Sequence, residues 1–152
     1  MKRLLFVSFI FMFSFSALCH NNSKDMAQEE KMSWFSEAKL GIFIHWGIYS
    51  RGDWSESWSF HNKQVPIDEY FAQKEDFTAR NYEPEFWARL IKESGAGYTV
   101  ITSKHHDGFA LWNTKVGELS AVKSSSAARD VLTPFVEAVR KKRGIKLGIY
   151  YS

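Results

Sequence analysis

Three short apolar runs, separated by longer amphipathic segments, dominate the hydrophobic pattern of the chain. They are Leu40–Ile44, YTVITS at 98–103 and IKLGIYYS at 145–152. Each run is almost uniformly apolar instead of alternating with polar residues, which is typical of a strand buried on both faces. We therefore predict three buried β-strands.

Helices are predicted between these strands. Val65–Glu75 has a helical pattern, with Pro66 suited to a first turn. Pro84–Glu93 is the clearest helix, because Phe86, Trp87, Leu90 and Ile91 fall on one stripe before the Ser94-Gly95-Ala96-Gly97 stop. A third helix is predicted at about Arg129–Lys142, closed by Gly144.

The order strand, helix, strand, helix, strand predicts an α/β fold with a parallel sheet, covered by helices on both sides through right-handed crossovers. A (β/α)8 barrel and an open doubly wound sheet both fit this order. No glycine-rich phosphate turn follows a strand, and polar residues gather at the carboxyl ends of the strands, where barrels carry their sites. We therefore predict about three βα units, the N-terminal part of a (β/α)8 TIM-like barrel. Three strands cannot close a barrel, so we expect this chain to be truncated.

Residues 1–19 have the pattern of a signal peptide: a basic start, then an apolar stretch from Leu4 to Leu18 that is short for a membrane span. Cys19 is either the last residue before cleavage or the lipidated first residue of a bacterial lipoprotein. Residues 20–31 are predicted to be a polar linker, and residues 32–152 to be the barrel portion. We expect an exported protein, periplasmic, on the cell surface or secreted, whose one contact with a membrane is a possible lipid anchor. Cys19 is the only cysteine, so the domain has no disulfide.

Charge gives no sign of a nucleic-acid partner. The chain has 20 basic and 17 acidic residues, a net charge of +3, and without Lys2 and Arg3 the balance is 18 against 17, or +1. The basic residues are scattered, and the one run, Arg140–Arg143, suits a helix C-terminus. Aromatic residues are more informative: six Trp, six Tyr and thirteen Phe exceed what a core of this size needs. The tryptophans at 34, 46, 54 and 58 lie in a polar segment, and exposed aromatic faces suit ligands such as sugars.

Histidines stand at the ends of two predicted strands. His45 follows the first, and the adjacent pair His105 and His106 follows the second. Side chains at these ends of a barrel converge on its mouth, and several imidazoles there suit a ligand with several hydroxyl groups. Glu56, flanked by Trp54 and Trp58, adds a carboxylate that can accept hydrogen bonds from such a ligand.

Other interpretations apply to the polar residues near these histidines. Asp107, just before Gly108, favours a turn over catalysis, and His61 has no predicted role. A metal-dependent barrel hydrolase is disfavoured, because metal-binding barrels usually present His-x-His on a strand whereas this pair is contiguous. The contiguous pair therefore predicts no metal site.

Four segments carry a resemblance to a known family: GIFIHWGIYS, ESWSF, KHHDGFALW and RDV with GIKLGIYYS. From about Trp34 to Ser152 the chain resembles the N-terminal part of family 29 glycoside hydrolases, the α-L-fucosidases. The resemblance implies a (β/α)8-like catalytic barrel followed by a β-sandwich domain. It also implies retaining hydrolysis of terminal α-L-fucose from an oligosaccharide or glycoprotein, with no metal or organic cofactor.

The resemblance also implies the site residues. His45, His105 and His106 match sugar-binding histidines, Glu56 matches a glutamate that holds fucose hydroxyls, and Tyr150 matches a tyrosine that lines the pocket. Trp58 is carried over too, although many members have Glu and Trp adjacent whereas Ser57 separates them here. Trp112 is a further candidate for the pocket wall.

The family's nucleophilic aspartate and its acid/base lie on later strands, beyond residue 152. A retaining glycosidase needs both carboxyl groups, roughly 5 Å apart. We therefore expect this chain to hold the sugar-binding half of the site, to be inactive alone and not to fold stably. The alternative is a non-catalytic carbohydrate-binding protein built on the same barrel. No oligomeric state is predicted.

Overall fold

The computed structural model describes residues 26–52 and 54–152, and the chain divides into two compact units, Met1–Lys39 and Leu40–Ser152. In the first unit residues 26–38 form helix α1, which therefore includes the second half of the predicted linker. Met26, Met32 and Phe35 on this helix are exposed. The predicted signal peptide and Cys19 lie outside the described residues. None of the described helices is both long and apolar enough to span a membrane.

The second unit contains a three-stranded sheet and four α-helices among its described residues. The predicted strands and helices are present, mostly with bounds within about three residues of the expected ones. In chain order the elements are β1 (Gly41–Ile44), a 3-10 turn (Ile48–Arg51), α2 (Trp58–His61), α3 (Ile67–Ala72), a second 3-10 turn (Gln73–Glu75), α4 (Pro84–Glu93), β2 (Tyr98–Lys104), α5 (Leu132–Arg140) and β3 (Lys146–Tyr151).

The sheet is parallel, as predicted, and its strands lie in the order β1-β2-β3. Ile44 pairs with Ile101, and Thr102 pairs with Tyr150, so the carboxyl ends of all three strands lie at one edge. Because each crossover adds the next strand on the same side, α4 and α5 both lie on one face of the sheet. They share one core with Ile42, Ile101 and Leu147.

This arrangement corrects the expectation that helices cover both faces. Among the described residues of the second unit, no helix lies over the side chains on the opposite face, and Phe43 there is 53% exposed. Gly41 is favoured at its position because a Cβ there would overlap three atoms of the Tyr98 ring, which would have to move.

The predicted stripe on α4 is also partly wrong. Ala88 and Ile91 are buried against α5, and Trp87 is half-buried. Phe86 and Leu90 are exposed, at 42% and 47%. Helical periodicity gave the four apolar positions, but the neighbouring helix covers only part of the stripe.

The connection from β2 to α5 is long and well packed. Phe109, Ala110 and Leu111, the apolar part of the KHHDGFALW segment, are buried. Leu111 is fixed through its backbone, since its N–H donates to Ser103 O at 2.9 Å and its carbonyl accepts from Val131 N at 3.0 Å. The histidine pair therefore stands directly before an anchored segment of the core.

Candidate active site

The exits of β1 and β2 are joined by one side chain. Thr102 Oγ1 donates to Trp46 O at 2.7 Å and accepts from Trp46 N at 2.8 Å. This pair of bonds fixes the residue after His45 against the end of β2. The rings of His45 and His105 consequently lie 4.6 Å apart, between centroids.

A tight turn positions the adjacent histidines. Gly108 N donates to His105 O at 3.0 Å, and Gly108 has φ +79°. Asp107 holds this turn, as the sequence suggested: its Oδ1 accepts from Phe109 N at 2.9 Å and its Oδ2 accepts from Tyr70 Oη at 2.8 Å. Both Asp107 oxygens therefore serve the structure, and the rings of His105 and His106 meet edge to face at 4.5 Å.

Tyr150, at the end of β3, forms one wall of the site. Its ring stacks on His105 with centroids 5.2 Å apart and an interplanar angle of 22°. Phe43 adds an apolar surface, lying 5.7 Å from the Tyr150 ring and 5.9 Å from the His45 ring. Sequence reasoning missed Phe43, although it stands two residues before His45 and therefore points to the same face of β1.

The loop between β1 and α2 brings in Glu56. Its Oε2 lies 3.7 Å from His45 Nε2 and 3.7 Å from His105 Nδ1. Both separations are too long for a hydrogen bond, so the carboxylate and the two imidazoles border a small gap. One ligand atom from each of these three side chains lies within 4.8 Å of the others. Among the described residues, these three side chains are therefore close enough together to hold a metal ion.

Ser57 is a second residue that sequence reasoning missed as a site component. It is fully buried, its hydroxyl is hydrogen-bonded to His105 Nδ1, and the same hydroxyl lies 3.4 Å from Glu56 Oε2. The extra residue between Glu56 and Trp58 thus turns inward and links the glutamate to the histidine. Its type gave no signal, because a loop serine is ordinarily solvated.

Trp58 begins α2 and reaches the site despite that extra residue. Its ring contacts His106 at 4.7 Å and His61 at 5.2 Å, both edge to face. His61 lies 5.0 Å from His106, so it belongs to this outer group. His106 Nδ1 is also 2.8 Å from Ser152 Oγ. Trp58 itself is 46% exposed and presents a free aromatic face.

Burial sets the charge of the central histidine. His105 is 5% exposed, and desolvation lowers its pKa, although the nearby Glu56 opposes that shift. A neutral imidazole both donates and accepts one hydrogen bond. Tyr49, whose ring lies 5.3 Å from His45, is buried as well, and desolvation raises its pKa, so it remains a neutral phenol.

Two predicted aromatic residues do not join this group. Trp112 lies beside Tyr151, with ring centroids 6.2 Å apart, on the helix-covered side of β3. Trp46, one of the tryptophans considered for a ligand platform, packs instead on Tyr82, Trp87 and Phe77 at 4.8–5.5 Å. It supports the loop after β1 and does not face the histidines.

Comparison with known proteins decides the family. The family model described as Alpha-L-fucosidase matches residues 15–152. This chain belongs to the α-L-fucosidase family. Among its relatives, the tissue α-L-fucosidases of Macaca fascicularis and Homo sapiens are 38% and 36% identical over 135 residues, 79% of this chain and 29% of each relative.

Solved α-L-fucosidase structures share its fold. Isoenzyme 1 from Paenibacillus thiaminolyticus matches with a TM-score of 0.73 and 35% identity, covering 82% of this chain and 29% of that one. The Thermotoga maritima α-fucosidase in complex with fucose matches with a TM-score of 0.62 and 38% identity, covering 78% of this chain and 34% of that one. The chain thus spans about three tenths of the length of the fucosidases it matches.

Proposed function

We propose that this chain provides the sugar-binding half of an α-L-fucosidase site, built on the first three βα units of a (β/α)8 barrel. The observation that carries the proposal is the gap bordered by His45, Glu56 and His105, with Oε2–N separations of 3.7 Å. The O–H of a sugar hydroxyl in this gap can donate to the carboxylate, while its oxygen accepts from an imidazole N–H. The sequential strand order, with both helices on one face, supports a barrel over a doubly wound sheet.

Fucose is a 6-deoxy sugar, so its site needs an apolar surface beside the hydroxyl-binding groups. Phe43, exposed and next to His45 and Tyr150, supplies one. The open face of Trp58 offers a second, since aromatic rings pack well on the apolar faces of sugars. We propose that the methyl group packs against Phe43 and that Trp58 covers the outer edge of the ring.

The proposed reaction is retaining hydrolysis of a terminal α-L-fucosyl residue on an oligosaccharide or glycoprotein. It requires a carboxylate nucleophile and a carboxylic acid/base roughly 5 Å apart. Of the two described carboxylates near the imidazoles, Asp107 is committed to its turn by two hydrogen bonds and Glu56 belongs to the binding group. We therefore propose that residues 1–152 bind fucose and that both catalytic carboxylates belong to the part of the relatives that this chain does not cover.

Circular dichroism first shows whether the purified chain is folded, and binding of free sugars to the folded chain then tests the proposal. Isothermal titration should detect L-fucose and a weaker interaction with L-galactose, whose additional 6-hydroxyl would meet Phe43. Glu56→Gln should weaken fucose binding by roughly tenfold or more, because hydrogen bonds to a charged group contribute about 1.5–3 kcal/mol. Glu85→Gln is the matched control: Glu85 pairs with Lys141 at 2.7 Å on the surface.

Equal fucose affinity in Glu56→Gln and Glu85→Gln would contradict the proposed site. Hydrolysis of an aryl α-L-fucoside by the 152-residue chain would contradict the division between binding and catalysis. A non-catalytic carbohydrate-binding barrel predicts the same fucose binding. It differs in predicting no turnover by a longer form of the protein.

We further propose that the protein is exported, with Cys19 as a lipid-attachment site. The sequence of residues 1–19 supports this, with its basic start and apolar stretch. Metabolic labelling with a radioactive fatty acid should mark the protein, and Cys19→Ala should abolish the label. Unlabelled protein cleaved after Cys19 would instead indicate ordinary secretion.

A further inference from the structure

The gap between Glu56 and the two imidazoles has the dimensions and donors of a metal site. Zinc forms bonds of about 2.0–2.2 Å to nitrogen and oxygen, so ligand atoms around tetrahedral zinc lie roughly 3.4 Å apart. The two Oε2–N separations are 3.7 Å, and all three ligand atoms lie within 4.8 Å of one another. Movements of less than about 1 Å would bring them to bonding distance.

The three side chains combine one rigid ligand with two adjustable ones. His105 is 5% exposed and packed, whereas the side chains of His45 and Glu56 are 36% and 27% exposed. The Ser57 hydroxyl touches His105 Nδ1 and lies 3.4 Å from Glu56 Oε2. The hydroxyl bonds to the same nitrogen that lies 3.7 Å from Glu56 Oε2, so an ion bound to Nδ1 replaces this hydrogen bond. Adjustment of His45 and Glu56 can then complete the site around His105.

The chemistry of the donors favours a divalent transition metal. Two imidazoles with one carboxylate form a known set of zinc ligands, and a fourth position remains for water. Metal binding needs a deprotonated ring nitrogen on each histidine. The adjacency of His105 and His106 does not argue against this metal site, because His106 is not one of its ligands. The proposed ligands are His45, Glu56 and His105.

We propose that His45, Glu56 and His105 bind Zn²⁺ or a similar divalent ion in the space that a sugar hydroxyl would occupy, so that metal and fucose exclude each other. The exclusion rests on the proposed function, whereas the metal site does not. The ion would act as an inhibitor that competes with the sugar, because it uses the groups that recognise the substrate.

Cobalt serves as the probe, since Co²⁺ occupies zinc sites and its visible absorption is strong only at low coordination number. Titration of the metal-free 152-residue chain should give one tightly bound Co²⁺, displaced by Zn²⁺. His45→Gln, Glu56→Gln and His105→Gln should each weaken binding at least tenfold. Glu85→Gln, the same substitution at a surface ion pair outside the trio, should bind like the parent chain, and circular dichroism should show that every variant is folded.

Unchanged Co²⁺ binding in folded His45→Gln or Glu56→Gln, or no stoichiometric binding by the parent chain, would overturn the metal site. L-fucose should raise the apparent Kd for Co²⁺ in proportion to its concentration. If the metal binds and fucose binds without competition, the shared space is refuted. If the metal binds and fucose does not bind at all, the proposed function fails and the metal site stands.

Discussion

Ser57 provides the sharpest test of how the site is organised. Its buried hydroxyl bonds to His105 Nδ1 and lies 3.4 Å from Glu56 Oε2. If the hydroxyl proton points to the carboxylate, Nδ1 of His105 must carry the proton that bonds to Ser57 Oγ. Nε2 is then an acceptor, because the partner of one ring nitrogen fixes the protonation of the other. We predict this tautomer for the metal-free protein, with Nε2 accepting a hydrogen bond from a sugar hydroxyl.

The size of the effect follows from burial. Ser57→Ala removes the partner of Nδ1 on a ring that is 5% exposed. A neutral hydrogen bond contributes about 0.5–1.5 kcal/mol, and an unsatisfied buried group costs about 1–3 kcal/mol. Since 1.4 kcal/mol is a factor of ten in an equilibrium constant, we expect roughly tenfold weaker fucose binding, with part of the loss appearing as lower stability.

The control is Ser59, which is also buried and lies in α2, the short helix that follows Ser57. Its hydroxyl donates to the backbone carbonyls of Ser55 at 2.8 Å and Glu56 at 3.2 Å. Ser59→Ala therefore perturbs the helix without touching His105. Isothermal titration gives the fucose affinity, and ¹⁵N–¹H long-range NMR gives the tautomer. An unchanged His105 tautomer in Ser57→Ala, or equal losses of affinity in both variants, would refute the reasoning.

Three other substitutions test the fold and the rim of the site. Gly41→Ala should lower the free energy of unfolding by at least about 1–3 kcal/mol, measured by urea denaturation, because its Cβ would overlap the Tyr98 ring. Trp58→Ala should weaken fucose binding several-fold through loss of its exposed aromatic face, whereas Trp54→Ala, at an exposed tryptophan with no described contact to the histidines, should not. Desolvation raises the pKa of Asp107 in the folded protein. The stabilisation from its protonated form is therefore complete below about pH 3.9, the ordinary Asp pKa, and is lost as the pH rises through the folded pKa. Asp107→Asn should flatten the measured dependence of stability on pH.

Each of these has a result that contradicts it. Gly148→Ala is the control for Gly41→Ala, because a Cβ at Gly148 meets Val100 Cγ2 at 3.1 Å, a contact that a small shift relieves. Gly148→Ala should lower the free energy of unfolding by less than Gly41→Ala does. The reverse order would contradict the packing described for Gly41. Equal fucose affinities of the two tryptophan variants would remove Trp58 from the site. If Asp107→Asn leaves the dependence of stability on pH unaltered, that dependence comes from other groups and the prediction for Asp107 is wrong.

The sequence determined the local elements and the edge of the sheet that carries the site. Helix α4 begins and ends where Pro84 and the Ser94–Gly97 stop predicted, since capping and periodicity depend on neighbouring residues. His45, His105 and His106 could be assigned to one region because the carboxyl ends of parallel strands lie at the same edge. The family motifs pointed to the same histidines and added Tyr150.

Only the tertiary structure decided what lies between those strand ends. Glu56 and Ser57 come from a loop whose path no periodic pattern specifies, so their distances to His105 depend on contacts 48 or more residues apart in the chain. The same limit explains Phe86, which has the periodicity of a buried residue yet is exposed, and Trp46, which packs among aromatic side chains. Periodicity identifies one apolar face of an element, but which neighbour covers that face is a property of the assembled fold.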